Sequence, residues 1–173
     1  MKKIAVIYKS KYGGAKQYAQ WIANALNAEL FEASAVKPTQ LTDRDVVIYG
    51  GGIYAGGING VKLVSENPCK TLVVFTVGLT DPQTTDYSDS LAKAFKPERL
   101  PQVKAFHFRG GVDYEKLSFI HKGVLSMVKK HAEKKPEAQR TSEDKAIIEA
   151  HGKKVDFADE SAIRPLVEYV RTL

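Results

Sequence analysis

The sequence lacks the features that would place it in an oxidising compartment or across a membrane. Its one cysteine, Cys69, excludes an internal disulfide and fits a reducing cytosol. No apolar run approaches the roughly 20 residues that a membrane span needs, and the start, Met1-Lys2-Lys3, lacks the length and cleavage site of a signal peptide. We therefore expect a cytoplasmic protein, and at 173 residues a single domain over residues 1–173.

Acidic residues are fewer than basic residues. There are 20 of them against 26 lysines and arginines, which gives a net charge of +6 and a pI near 9.3. Such a balance can favour nucleic acid, an anionic membrane surface or an acidic ligand. The basic segments carry no interleaved aromatics and no nucleic-acid-binding motif, so we predict no nucleic-acid partner. No metal site is predicted.

Apolar strand-like runs alternate with segments of helical periodicity. The predicted strands are Ile4–Tyr8, Ala28–Ala33, Asp45–Gly50, Thr71–Val77, Val103–Phe108 and Val155–Phe157. The predicted helices are a segment from Gln17, then Val61–Glu66, Ser88–Phe95, Tyr114–Lys135, Ser142–His151 and Ser161–Thr172. This alternation predicts an α/β fold, a doubly wound parallel sheet with helices on both faces.

The first strand ends in the loop Ser10-Lys11-Tyr12-Gly13-Gly14-Ala15, and a helix follows it. Free N–H groups of a first helical turn and the positive end of the helix dipole make such a place an anion site. A tight strand-to-helix connection would also use Gly-Gly, because glycine reaches positive φ at no cost. Two later loops also follow strands, at 51–57 and 76–81, and ligands bind at such carboxyl ends. That convergence favours a phosphate site.

The loops argue for a mononucleotide with a flat ring. Gly50-x-Gly52-x-x-Ala55 formally matches a dinucleotide fingerprint, but it does not follow the first strand. The next strand also ends without the acid that such sites need for the ribose. The first loop lacks the spacing of a nucleotide triphosphatase.

The ordered loops are similar to those of the flavodoxin family over the whole chain. The phosphate loop would be Ser10–Ala15, in the place of the family's Thr/Ser-x-Thr-Gly-x-Thr. The two flavin-ring loops would be Gly52-Ile53-Tyr54-Ala55-Gly56 and Thr76-Val77-Gly78-Leu79-Thr80. The resemblance implies FMN as cofactor and a five-stranded parallel sheet. It also implies that these three loops bind the cofactor, with Tyr54 as the residue that stacks on the ring.

Two residues of the phosphate loop depart from the family's pattern. Tyr12 and Ala15 stand where threonines are expected, so two short hydroxyl donors are missing. Backbone amides, Ser10 and Lys16 would have to compensate.

Within that family the chain most resembles the menaquinone-dependent protoporphyrinogen dehydrogenases. The similarity is carried by 75–80, by Gly110-Gly111-Val112-Asp113-Tyr114-Glu115-Lys116-Leu117-Ser118-Phe119, and by a helical insertion at about 112–152 that interrupts the last strand. It implies an FMN-dependent oxidoreductase that passes electrons from protoporphyrinogen or a similar reduced substrate to a quinone. The alternative is a flavodoxin-type electron carrier, which needs a redox partner but no substrate of its own.

The predicted helix 114–135 has an apolar stripe and a basic face of six lysines. Such a helix could lie on an anionic membrane as a peripheral contact, or it could be plain solvated surface; both interpretations stay open. No residue stands out as an obligate acid or base. His107 and His121 are the candidates, and we interpret both as structural.

Overall fold

Five parallel strands form the central sheet in a computed structural model, which describes residues 1–173. Their order across the sheet is β2 (Glu29–Glu32), β1 (Ile4–Lys9), β3 (Val46–Tyr54), β5 (Leu72–Gly78) and β6 (Val103–Arg109). A short strand, β4 (Gly57–Ile58), pairs antiparallel with the end of β3. The predicted α/β fold with its five-stranded parallel sheet is confirmed.

Helices cover both faces of the sheet. In chain order they are α1 (Gly14–Leu26), α2 (Lys62–Ser65), α3 (Ser88–Ala94), α4 (Phe119–Lys134), α5 (Ser142–Ala150) and α6 (Arg164–Thr172). One core layer packs α1 and α6 on the sheet and includes Tyr18, Ile22, Phe75 and Leu166. The other packs α2 and the 38–43 segment on the opposite face, around Tyr49. Burial on both faces explains why β3 and β5 are continuous apolar runs.

The insertion leaves the sheet after β6 and returns through a separate ribbon. There β7 (Gly111–Asp113) pairs antiparallel with β8 (Lys154–Asp156), and neither strand joins the parallel sheet. The Phe157 N–H donates to the Gly110 carbonyl at 3.1 Å, which closes the base of the insertion beside the end of β6. The segment between them therefore starts and ends at the carboxyl edge of the sheet.

The long helix of the insertion begins later than the sequence predicted. Residues 114–116 form a 3-10 turn, and α4 begins at Phe119 because Ser118 caps it through its hydroxyl, which accepts from the His121 N–H. The apolar stripe of α4 is exposed for most of its length. Ile120 and Met127 are 74% and 67% exposed. No helix of the chain has the length and apolarity to cross a bilayer.

Candidate functional site

The loop after β1 leaves several N–H groups without protein acceptors. Gly13 has φ 98° and donates its N–H to Ser10 Oγ at 3.0 Å, so the chain turns sharply into α1. The N–H groups of Gly14, Ala15 and Lys16 donate to no protein group, as expected for a first helical turn without a side-chain cap. Together with the helix dipole, these three donors fit an anion such as phosphate.

The segment 51–57, predicted as a loop after β3, is instead a hairpin. Gly52, Ile53 and Tyr54 continue β3, and only Ala55 and Gly56 form the turn between β3 and β4. Their φ angles of 50° and 75° match the two-residue turn that suits twisted strands. The Tyr54 ring folds back over Gly52, where a Cβ would lie 3.1 Å from Cε2 of the ring.

The loop after β5 presents backbone donors on one side. Thr76 and Val77 end the strand as predicted, and Gly78, predicted as loop, extends it by one residue, so the turn itself starts at Leu79. The Gly78 carbonyl accepts from the Gly110 N–H at 2.7 Å, and the Leu79 carbonyl accepts from Arg109 Nε at 2.9 Å. In trans peptides the N–H points opposite to the carbonyl. The N–H groups of Leu79 and Thr80, which have no protein acceptor, therefore face away from β6.

The three loops approach one another at the carboxyl edge of the sheet. A Cβ on Gly14 would lie 3.3 Å from Val77 Cγ1, and one on Gly78 would lie 3.9 Å from Ile53 Cβ. The rings of Tyr12 and Tyr54 stand edge to face, with centroids 6.5 Å apart. The structure thus brings together the three loops to which Ser10–Ala15, Gly52–Gly56 and Thr76–Thr80 belong. Four of the predicted residues are exceptions as contact side chains because they are buried: Ala15, Thr76, Val77 and Thr80.

The insertion reaches this edge through His121. Its ring stacks on Tyr54, with centroids 5.8 Å apart and planes 19° apart, and Nδ1 lies 2.5 Å from the Tyr12 hydroxyl. The same hydroxyl accepts from the Ser118 N–H at 3.3 Å. Tyr12 therefore ties the start of α4 to the loop after β1. Tyr54 has Gly52 on one side and His121 on the other, so ring stacking by a ligand needs one of them to move.

His107 supports the second ring loop from beneath. Its Nδ1 lies 2.6 Å from Thr76 Oγ1, and its ring stacks on Tyr87 with centroids 3.9 Å apart. The Tyr87 hydroxyl lies 2.8 Å from Thr80 Oγ1, so both ends of the loop are tied to one stack. Burial lowers the pKa of His107 to about 4. The ring is therefore neutral at physiological pH and holds the loop in position.

This shift of the His107 pKa predicts a pH-dependent stability. Its ordinary value is 6.5, so between about pH 6.5 and 4 the unfolded chain takes up a proton that the folded chain does not. Its contribution is complete above pH 6.5 and is lost as the pH falls. We expect the free energy of unfolding to drop less between pH 7.5 and 5 in His107→Gln than in the wild type, measured by urea unfolding. His131→Gln, at an exposed position, should keep the wild-type slope; an unchanged slope in His107→Gln would contradict the assignment.

Two site residues were not recognised from the sequence. Arg109 directly follows the predicted strand Val103–Phe108 and was given no role, and His121 was interpreted as structural. Their contacts, Arg109 with Leu79 and His121 with Tyr12, join segments 30 and 109 residues apart. No local spacing signals such pairs.

The site fits FMN in its donors. Three free N–H groups at a helix start suit a phosphate, and those of Leu79 and Thr80 suit the carbonyl and nitrogen atoms at a flavin ring edge. Gly78 adds no side chain at the point where the second loop faces Ile53.

Solved structures with similar folds include several flavoproteins. A flavodoxin, WrbA-like protein from Agrobacterium tumefaciens is 21% identical (TM-score 0.41); the match covers 48% of this chain and 64% of that one. A flavodoxin from the domain Archaea is 17% identical (TM-score 0.42; 62% and 85% covered). Oxidised flavodoxin 2 from Bacillus cereus is 16% identical (TM-score 0.48; 62% and 84% covered). The chain thus spans less than two thirds of the WrbA-like protein.

No curated protein gives a significant match. The model of the flavodoxin domain matches residues 5–139, which is most of the chain. That range contains all three loops and most of the insertion. Membership implies FMN as the cofactor. The chain belongs to the flavodoxin domain family.

Proposed function

We propose that this protein is an FMN-dependent oxidoreductase that passes electrons from a reduced substrate, protoporphyrinogen or a similar compound, to a quinone. Residues 1–173 would form one flavodoxin-like domain with an insertion at about 112–152. FMN would be bound by the three loops, with its phosphate at Ser10–Lys16 and its ring between Gly52–Gly56 and Thr76–Thr80. The bound flavin supplies the electron transfer.

The observation that carries the proposal is the apolar face of α4, at the rim of the cofactor site. Phe119, Ile120 and Met127 are 92%, 74% and 67% exposed, and Val124 and Val128 extend the same face. A face of this kind, exposed in a soluble-type fold, marks an interaction site. Its first turn touches Tyr12 and Tyr54 through His121, so whatever binds the face arrives next to the site. A lipophilic quinone matches that chemistry.

The charge around α4 supports a membrane-bound acceptor. Between residues 114 and 135 there are six lysines and two glutamates. Of these lysines, only Lys116, Lys129 and Lys135 form ion pairs. Unpaired lysines beside an exposed apolar face are typical of helices that lie in the interface of an anionic bilayer. We therefore propose peripheral contact with the inner face of the membrane through this helix.

Residues of this chain would orient and shield the reacting ring. The Tyr12–His121 pair holds the start of α4 next to the rings of Tyr12 and Tyr54. His107 keeps the second ring loop in place. Tyr12 and His121 are hydrogen-bonded to each other, and no residue at the site is assigned as an obligate acid or base. That favours, as the second candidate, an electron carrier without its own substrate.

Turnover separates the two candidates. FMN-loaded protein should reduce a menaquinone analogue only when protoporphyrinogen is supplied, with the rate rising when anionic vesicles are added. Reduction should fall, and co-sedimentation with the vesicles at low salt should be lost, in Ile120→Glu/Met127→Glu, because two carboxylates then lie on the apolar face. Leu173→Glu, an exposed apolar residue outside α4, is the matched control. Electron exchange with a redox protein, but no substrate-dependent quinone reduction, would support the carrier instead.

A further inference from the structure

Arg109 lies at the carboxyl end of β6 and is fixed in one position. Its Nε donates to the Leu79 carbonyl at 2.9 Å, and its guanidinium carbon lies 3.6 Å from the centroid of the Phe157 ring. Arg109 also pairs with Gly78 in the β5–β6 ladder. A hydrogen bond and a stacked ring together restrict a long side chain to one rotamer. The cation therefore stays beside the second ring loop.

The charge of Arg109 is not neutralised by the protein. Seven ion pairs form in the chain, and none includes this residue. The carboxylates nearest along the chain to its contacts, Asp81 and Asp156, accept instead from the N–H groups of Gln83 and Ala158. The residue is half-buried, so water screens it incompletely.

Arg109 stands directly behind the donors that face the ring. Its Nε binds the carbonyl of the peptide whose N–H belongs to Thr80, and that N–H points the opposite way. One peptide unit therefore separates the guanidinium from a group bonded to that N–H, a distance on the order of 8 Å. At an effective dielectric constant of about 20, a unit charge at this range still acts appreciably on another. The charge also polarises the peptide so that its N–H is a stronger donor.

We propose that Arg109 sets the redox balance of the bound cofactor by stabilising its reduced, anionic form. Oxidised FMN that takes up two electrons and one proton gains one negative charge on the ring, and an unpaired cation behind the ring loop lowers the free energy of that state. Arg109 is a positioning and tuning residue, since it acts through the loop peptide. The inference rests on the proposed placement of the ring. The charge of Arg109 would bias the bound cofactor toward accepting two electrons from a reduced substrate.

The test compares two replacements with a matched control. Arg109→Gln removes the charge and keeps an N–H donor, whereas Arg109→Lys keeps the charge. Lys104→Gln makes the same charge change at the opposite end of the same strand, where the lysine lies over the rings of Phe106 and Tyr169. The readouts are the midpoint potential, measured against reference dyes, and the ratio of the FMN dissociation constants in the reduced and oxidised states. Neither readout depends on turnover.

At the midpoint potential of the wild type, Arg109→Gln should lower the ratio of reduced to oxidised bound FMN by about tenfold. Arg109→Lys and Lys104→Gln should stay within about threefold of the wild type, and the effect should shrink as salt is raised. Equal shifts for Gln and Lys at 109 would assign the effect to the hydrogen bond and overturn the proposal, as would no shift. A protein that shows no flavin spectrum after FMN addition would overturn the proposed placement of the flavin ring. Midpoint potentials that follow the expected pattern in a protein without turnover would overturn only the proposed reaction.

Discussion

Replacing Gly50 with alanine should destabilise the protein by about 3 kcal/mol, the upper part of the range for overpacked cores. Gly50 pairs with Phe75 on the neighbouring strand, and a Cβ there would lie 1.9 Å from Cζ of that ring. Phe75 is completely buried and contacts Phe108, so its ring has no space to move into. Urea unfolding followed by circular dichroism measures the loss as a lower midpoint with an unchanged slope.

Two further variants make the Gly50 prediction specific. Phe75→Leu in the Gly50→Ala background should recover part of the loss, because the shorter side chain leaves room for the new methyl group. Gly123→Ala, at an exposed position in α4 with nothing within 4 Å of the new Cβ, should instead stabilise by about 0.5–1 kcal/mol. Wild-type stability of Gly50→Ala would mean that the Phe75 ring has another position.

The sheet could be predicted because its strands are buried on both faces. Apolar runs at β1, β3 and β5 can only be covered on both sides in a parallel sheet with helices above and below. The extension of β3 through Gly51, Gly52 and Tyr54 could not be predicted from the sequence, since glycine is disfavoured in strands. Glycine is required there because neighbouring atoms occupy the side-chain position. A Cβ on Gly51 would lie 2.6 Å from the Asn59 carbonyl oxygen.

The insertion could be predicted only in part from the sequence. Helical periodicity correctly predicted a helix in this segment, but periodicity does not tell whether an apolar stripe is covered. Only Ala132 of α4 is buried, so the stripe that contains Ile120 and Met127 stays exposed. Likewise, the sequence located all three loops of the site by their place after strands. It could not reveal that His121 contacts both Tyr12 and Tyr54, because those contacts depend on how the insertion folds back.

The phosphate loop should depend more on backbone donors than on the Lys16 charge. Lys16→Ala removes the charge alone, whereas Lys16→Pro also removes one of the three free N–H groups of the first turn. Proline is tolerated in a first helical turn, and Lys16 is exposed, so the helix should persist. We expect Lys16→Ala to weaken FMN binding a few-fold and Lys16→Pro by a further 10- to about 100-fold, the worth of a hydrogen bond to a charged group.

Riboflavin provides the control for this prediction, because it has the same ring and no phosphate. Its affinity should be equal in the wild type, Lys16→Ala and Lys16→Pro when each is titrated by flavin fluorescence quenching. An equal loss of riboflavin binding in Lys16→Pro would indicate a distorted loop, and equal FMN affinity in the two variants would place the phosphate elsewhere. Since the Tyr12 hydroxyl is hydrogen-bonded to His121 and Ala15 has no hydroxyl, the loss for this chain should approach the upper end of the range. Backbone N–H groups here would carry the binding that threonine hydroxyls share in the family's pattern.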